Sequence, residues 1–179
     1  HSLAFLGTEY VFDQRLIVFA VQTFSGFAAV QARGHEVWAR FFGSTLEDRM
    51  TYTPSDCYQT FPFPENWETH PTLEAAGKAY YEFRAALMVR NAEGLTKTYN
   101  RFHDPEERSP DILKLRELHA AMDAAVLAAY GWLGEDGKTL KPAERESGAP
   151  LSLHCEFLLE YEDEDDDEDE ENASRKKKK

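Results

Sequence analysis

The sequence lacks the short signatures that most catalytic centres require. It has no glycine-rich phosphate loop of the G-x-G-x-x-G or G-x-x-x-x-G-K-[ST] type, no G-x-S-x-G elbow and no H-E-x-x-H. A phosphate cradle, a serine nucleophile on a strained turn and zinc hydrolysis on a helix are therefore without a carrier. Pro110-Asp111 begins a nuclease-like pattern, but it starts a helix and no acid-x-Lys pair on an expected strand accompanies it. Cysteine is scarce: Cys57 and Cys155 stand alone, with no Cys-x-x-Cys or His-x-x-x-His, so reduced thiols are expected and no metal ligand set. No catalytic, cofactor-binding or metal-binding residue is assigned. No apolar run approaches the length of a membrane span. His1-Ser2-Leu3-Ala4 has neither an initiator Met nor a basic leader region, so the chain reads as a cytoplasmic protein cut from a longer polypeptide.

An excess of positive charge is also missing. The formal net charge is −13, of which much is local: residues 160–171 hold eleven acids and Arg175–Lys179 hold five bases. The remaining 1–159 carry 22 acids and 15 bases, a net of −7. A compact stand-alone nucleic-acid binder neutralises phosphates with surplus Lys and Arg, so any DNA contact has to be local or part of a larger protein. What the 179 residues do hold is 42% hydrophobic and 13% aromatic side chains, enough for the core of one domain.

Along the chain the expected class is α+β: a small β-rich portion over 1–70, an antiparallel helix pair within 71–134, a loop and short strand over 135–160, and a disordered acidic and basic tail over 161–179. Arg15–Phe24 is rich in β-branched and aromatic residues, and Phe27–Ala32 follows a Ser25-Gly26 turn signal, so the two are expected to pair as a hairpin. Val37, Trp38, Phe41 and Phe42 recur at three and four residues, which predicts a short helix ending at Gly43 with these four in the core. Thr53-Pro54-Ser55-Asp56 is a turn or helix-start signal, and Phe61–Pro64 must be extended. Leu73, Ala76, Tyr80, Phe83 and Leu87 predict a helix over Thr72–Asn91, with Thr72 as cap. Ser109-Pro110-Asp111 starts another, whose stripe is Ile112, Leu115, Leu118, Met122, Val126 and Ala129. The polar connection between them is read as a loop. Leu151–Leu159 is a plausible strand, and the acid run beyond it repels itself.

Two polar clusters stand out. Arg33, His35, Arg40, Ser44, Arg49 and Tyr52 place donors among aromatics around a turn-helix segment, a composition suited to phosphate contact. An ordinary solvated surface over an aromatic core has the same composition. Lys97, Tyr99 and Arg101 lie in the connection between the long helices, where donors on a loop meet a nucleic-acid backbone or Leu95, Tyr99 and Phe102 merely pin it.

The run Val30-Gln31-Ala32-Arg33-Gly34-His35-Glu36-Val37-Trp38-Ala39-Arg40-Phe41-Phe42-Gly43-Ser44, followed by Tyr52-Thr53-Pro54-Ser55-Asp56-Cys57-Tyr58-Gln59-Thr60-Phe61-Pro62-Phe63-Pro64, resembles the end of the target-recognition region of large bacterial adenine-specific DNA methyltransferases. These are single-chain type IIG and IIL restriction-modification enzymes and the methylases of phage-exclusion systems. Glu93–Asp104 and Leu115–Asp123 are similar to the helical segment that follows it, and the likeness spans roughly 10–160. The resemblance implies a parent enzyme that binds S-adenosylmethionine and methylates a flipped-out adenine in double-stranded DNA through an Asn-Pro-Pro-aromatic motif. That motif and its domain are absent from this sequence, which has no Pro-Pro, so the chain is expected to contribute reading without chemistry. The alternative from another class is a non-catalytic protein-interaction module with an acidic tail.

Overall fold

Thr23, itself extended, starts the first helix: its hydroxyl accepts the N–H of Gly26 at 3.1 Å, and its carbonyl accepts the N–H of Phe27. The helix that follows, α1 (Phe24–Gln31), is buried from Ser25 through Gln31. The computed structural model describes residues 2–13, 16–46 and 49–133, with backbone alone for 44–46 and 49–50. After α1 come α2 (Arg33–Phe42), the strands β1 (Ser44–Leu46) and β2 (Arg49–Thr51), the single-turn α3 (Pro54–Cys57), and then α4 (Pro71–Asn91), α5 (Leu95–His103) and α6 (Pro110–Ala129).

The α+β expectation is therefore overturned. Among the described residues the only sheet is the antiparallel β1–β2 hairpin, three residues to a strand. Phe27–Ala32, expected as a strand, lies in α1 and its C-cap, and residues 17–22 belong to no helix or strand. The reason is the burial of α1 on every side. A helix enclosed all round has no polar face, so its sequence shows a short apolar run and no 3.6-residue period, the same pattern as a buried strand. The supposed turn residue Ser25 sits in the first helical turn, where its N–H donates to Glu74 at 2.7 Å and its hydroxyl to the carbonyl of Glu68 at 2.7 Å.

Around α1 the two long helices form the core. α4 and α6 run antiparallel, with the Tyr80 ring against His119 near mid-length and Arg90 paired to Asp111 at 2.7 Å where one ends and the other begins. Leu73, Tyr80 and Leu87 from α4 meet Ile112, Leu115 and Met122 from α6, with Phe27 and Ala28 of α1 filling the groove. Gly77 makes the α1–α4 approach possible, because a Cβ there would lie 2.1 Å from the Phe24 carbonyl oxygen. Both long helices match their expected spans closely. His70 rather than Thr72 occupies the cap of α4, and Ser109 caps α6 without a side-chain hydrogen bond. The connection read as a loop contains α5, whose Thr98 and Phe102 are buried. The expected loop and strand over 135–160 and the tail over 161–179 lie outside the described residues.

Candidate nucleic-acid interface

The stretches Val30–Ser44 and Tyr52–Pro64 fold onto one another. α2 supplies His35 and Trp38; the segment from Tyr52 to Phe61 supplies their partners. The His35 ring is fully buried, with Nε2 3.2 Å from the Tyr52 hydroxyl and the Phe61 ring edge-on at 4.7 Å. Trp38 donates through Nε1 to the Thr60 hydroxyl at 3.2 Å and packs on Phe42 and Phe61. Cys57 Sγ, also buried, sits 3.7 Å from the Ala39 carbonyl oxygen and is a free thiol. Desolvation disfavours the charged imidazole and lowers the pKa of His35 to about 4, against the opposing pull of hydrogen bonds with the Cys57 and Val30 backbone. The same burial pushes the Tyr52 hydroxyl up.

This packing reverses the expected orientation of α2. The helix and its Gly43 end are as predicted, but the buried side chains are His35 and Ala39. Val37 is 56% exposed, Phe41 80% and Phe42 43%, and Trp38 is half-buried. Ala39 is fully buried, and its carbonyl oxygen takes the Gly43 N–H at 2.8 Å and lies 3.7 Å from the Cys57 thiol.

Four of the predicted phosphate donors, Arg33, Arg40, Lys97 and Arg101, are held by acids of this chain. Arg33 and Arg40 both reach Glu36, at 3.3 Å and 2.9 Å. Burial opposes the charged form of Glu36, but the two guanidinium groups outweigh it and hold the carboxyl below its ordinary range. Ser44 and Arg49 stand at opposite ends of the β1–β2 ladder, Ser44 in register with Thr51 and Arg49 with Leu46. Lys97 pairs with Glu93 at 3.3 Å and stays largely exposed. Arg101 reaches Glu93, Glu107 and Ser109 at 3.1, 2.8 and 3.0 Å, closing the α5–α6 turn, and it holds the Glu107 carboxyl at about 2. Tyr99 points into the core, its hydroxyl 2.7 Å from that of Tyr80 and 2.8 Å from Arg84.

The first cluster and the second meet at one notch, where Arg33 and Glu36 of α2 face Tyr99 and His103 of α5 and His119 of α6. Asp123 organises its floor: one oxygen accepts the Arg33 backbone N–H at 2.8 Å and the other lies 3.0 Å from His119 Nδ1. The notch has about 10 Å³ of space, room for one water and none for a nucleoside cofactor. Among the described residues no group of three His, Cys, Asp or Glu side chains is placed to hold a metal, and no helix is long and apolar enough to cross a membrane. Glu36 was legible and missed: it stands three residues after Arg33 and four before Arg40, the spacings at which helical charges pair. Asp123 and Thr60 carried no local signal, since their partners are far away in sequence. No protein-family model, curated protein or solved structure matches the chain.

Proposed function

We propose that this chain is the target-recognition end and following helical segment of an adenine-specific DNA methyltransferase of the restriction-modification or phage-defence kind. In this reading the cofactor and catalytic groups belong to a preceding domain, which binds S-adenosylmethionine, and this segment helps to hold double-stranded DNA. One observation carries it: the two separated stretches that carry the resemblance lock together, His35 to Tyr52 and Phe61, Trp38 to Thr60. Such a lock holds the β1–β2 hairpin and the outer face of α2 in fixed relation, as a groove-reading surface requires. Arg40, with its side chain 48% exposed, is the donor best placed for phosphate.

The test starts with the reading frame upstream of His1. It is expected to continue into an Asn-Pro-Pro-aromatic domain, and the full-length product to methylate adenine in duplex DNA. A frame that opens next to His1, or a full-length product with no methylation of any duplex, removes the proposal. Within an active parent, Arg40→Ala is expected to weaken binding alike on all sequences and to lower the salt slope by about one if the contact is a phosphate. A loss of about 1–3 kcal/mol confined to sites with one guanine would mean that it reads a base.

The rival reading, a protein-interaction module, is favoured by the uncovered apolar side chains of Val37, Phe41 and Phe42. Phe41→Ser separates the two, since it abolishes partner capture under that reading and leaves adenine methylation intact.

A further inference from the structure

Arg84 is 2% exposed, yet among the described residues it has no carboxylate partner. Its guanidinium lies over four rings, those of Phe27, Tyr80, Tyr81 and Tyr99, at 5.3–5.9 Å from their centroids. One of its nitrogens donates to Tyr99 and another to the backbone carbonyl of Leu3. A buried cation without an acid is costly unless its donors are satisfied, and here a main-chain carbonyl does that. The N–H of the same Leu3 donates to Gln31 Oε1 at 2.8 Å, and Gln31 is itself 3% exposed. Two residues on, the Phe5 N–H donates to the Tyr81 hydroxyl at 3.1 Å, and the Phe5 ring enters a cage of Phe24, Phe27 and Tyr81 with centroids 5.2–5.7 Å away.

Leu3 to Phe5 therefore lie across α1 and α4 as a peptide lies in a recognition groove: both backbone groups of one residue are read by buried side chains, and an aromatic anchor follows at the second position. The segment belongs to no helix or strand, and residues 6–11 beyond it are exposed, with Leu6 at 61% and Val11 at 100%. We propose that α1 and α4 form a binding groove for an extended Leu-x-Phe peptide segment, and that in this chain the groove is filled by its own residues 2–5 as an exchangeable strap. The groove's polar groups, Gln31, Arg84 and Tyr81, select the extended backbone, and its ring cage selects the aromatic side chain. The proposal stands apart from the DNA reading, because none of these residues belongs to the motif lock.

The experiment uses the full chain, isotope-labelled, with Phe5→Ala to loosen the strap, and the synthetic peptide His-Ser-Leu-Ala-Phe-Leu-Gly as probe. The peptide is expected to shift the amide and side-chain signals of Gln31, Tyr81, Arg84 and Tyr99 saturably. Its affinity for the unsubstituted chain is expected to be weaker by about tenfold or more, because the tethered strap competes at high effective concentration. A peptide with Ala in place of Phe is expected not to bind, and Tyr81→Phe, which removes one hydroxyl, to weaken the authentic peptide severalfold. Absence of shifts in a folded Phe5→Ala chain overturns the proposal, as does equal binding of the Ala peptide. Global unfolding on Phe5→Ala overturns it too, since removing an exchangeable ligand does not unfold its site.

Discussion

His35 links a single protonation to the integrity of the motif. In the unfolded chain its imidazole takes a proton near the ordinary histidine value, and in the folded chain only near pH 4. Between those values the unfolded state binds more protons, so stability is complete above the unfolded value and is lost as the pH falls, levelling off below the folded one. Urea denaturation at pH 7 and pH 5 is expected to differ by about 2 kcal/mol from this group alone. In His35→Gln that increment of pH dependence disappears. Burial also lowers His103, so a slope that survives in His35→Gln would assign the effect to another residue. At the same scale, the exposed ring of Phe41 contributes little to folding: Phe41→Ser is expected within about 0.5 kcal/mol of the parent. Trp38→Ala, half-buried and with one hydrogen bond, is expected to fall between that and the roughly 3–5 kcal/mol of a fully buried tryptophan. Thermal melts of the two variants check both.

Among the elements, α4 carries two positions where local preference and tertiary packing disagree. By helix propensity alone Gly77→Ala stabilises, by about 1 kcal/mol. Against the Phe24 carbonyl the added methyl forces α1 away from α4, and the net change is expected to be a loss of about 1–3 kcal/mol in chemical denaturation. Ala92, which ends the helix at φ 50°, shows the reverse conflict. Glycine adopts that left-handed conformation without a Cβ penalty, so Ala92→Gly is expected to gain roughly 0.5–1 kcal/mol. The turn after α5 depends on Arg101, and its loss to Ala is expected to speed hydrogen exchange of the Asp104–Ser109 amides while leaving the α4–α6 core protected. α5 itself was hidden in the sequence by its polarity. Leu95, Tyr99 and Phe102 do fall at helical spacing, but only Thr98 and Phe102 are buried, and most of its other side chains are charged or solvated.

For the whole molecule, charge is the property that sequence states without ambiguity. Deleting residues 162–179 removes ten acids and five bases and takes the formal charge from −13 to −8. Under the DNA reading the shortened chain is expected to bind duplex DNA more tightly at low salt, with a melting temperature equivalent to less than about 0.5 kcal/mol of change. A large loss of stability on deletion would show that the tail docks on the fold, and would favour the interaction-module reading.

The sequence by itself determined the two long helices, the short helix ending at Gly43 and the lack of catalytic signatures. Those features are written in neighbouring residues: a 3.6-residue stripe, a proline at a first turn, a fixed string of side chains. Only the tertiary structure decided that Phe27–Ala32 is helical, that α2 turns Ala39 inward and Phe41 outward, and that Tyr99 faces Arg84 and not solvent. In each case the deciding partner lies far along the chain. The Phe24 carbonyl against Gly77, Cys57 against the Ala39 carbonyl and Tyr80 beside Tyr99 are all separated by eighteen residues or more, and no local period encodes contacts at that distance.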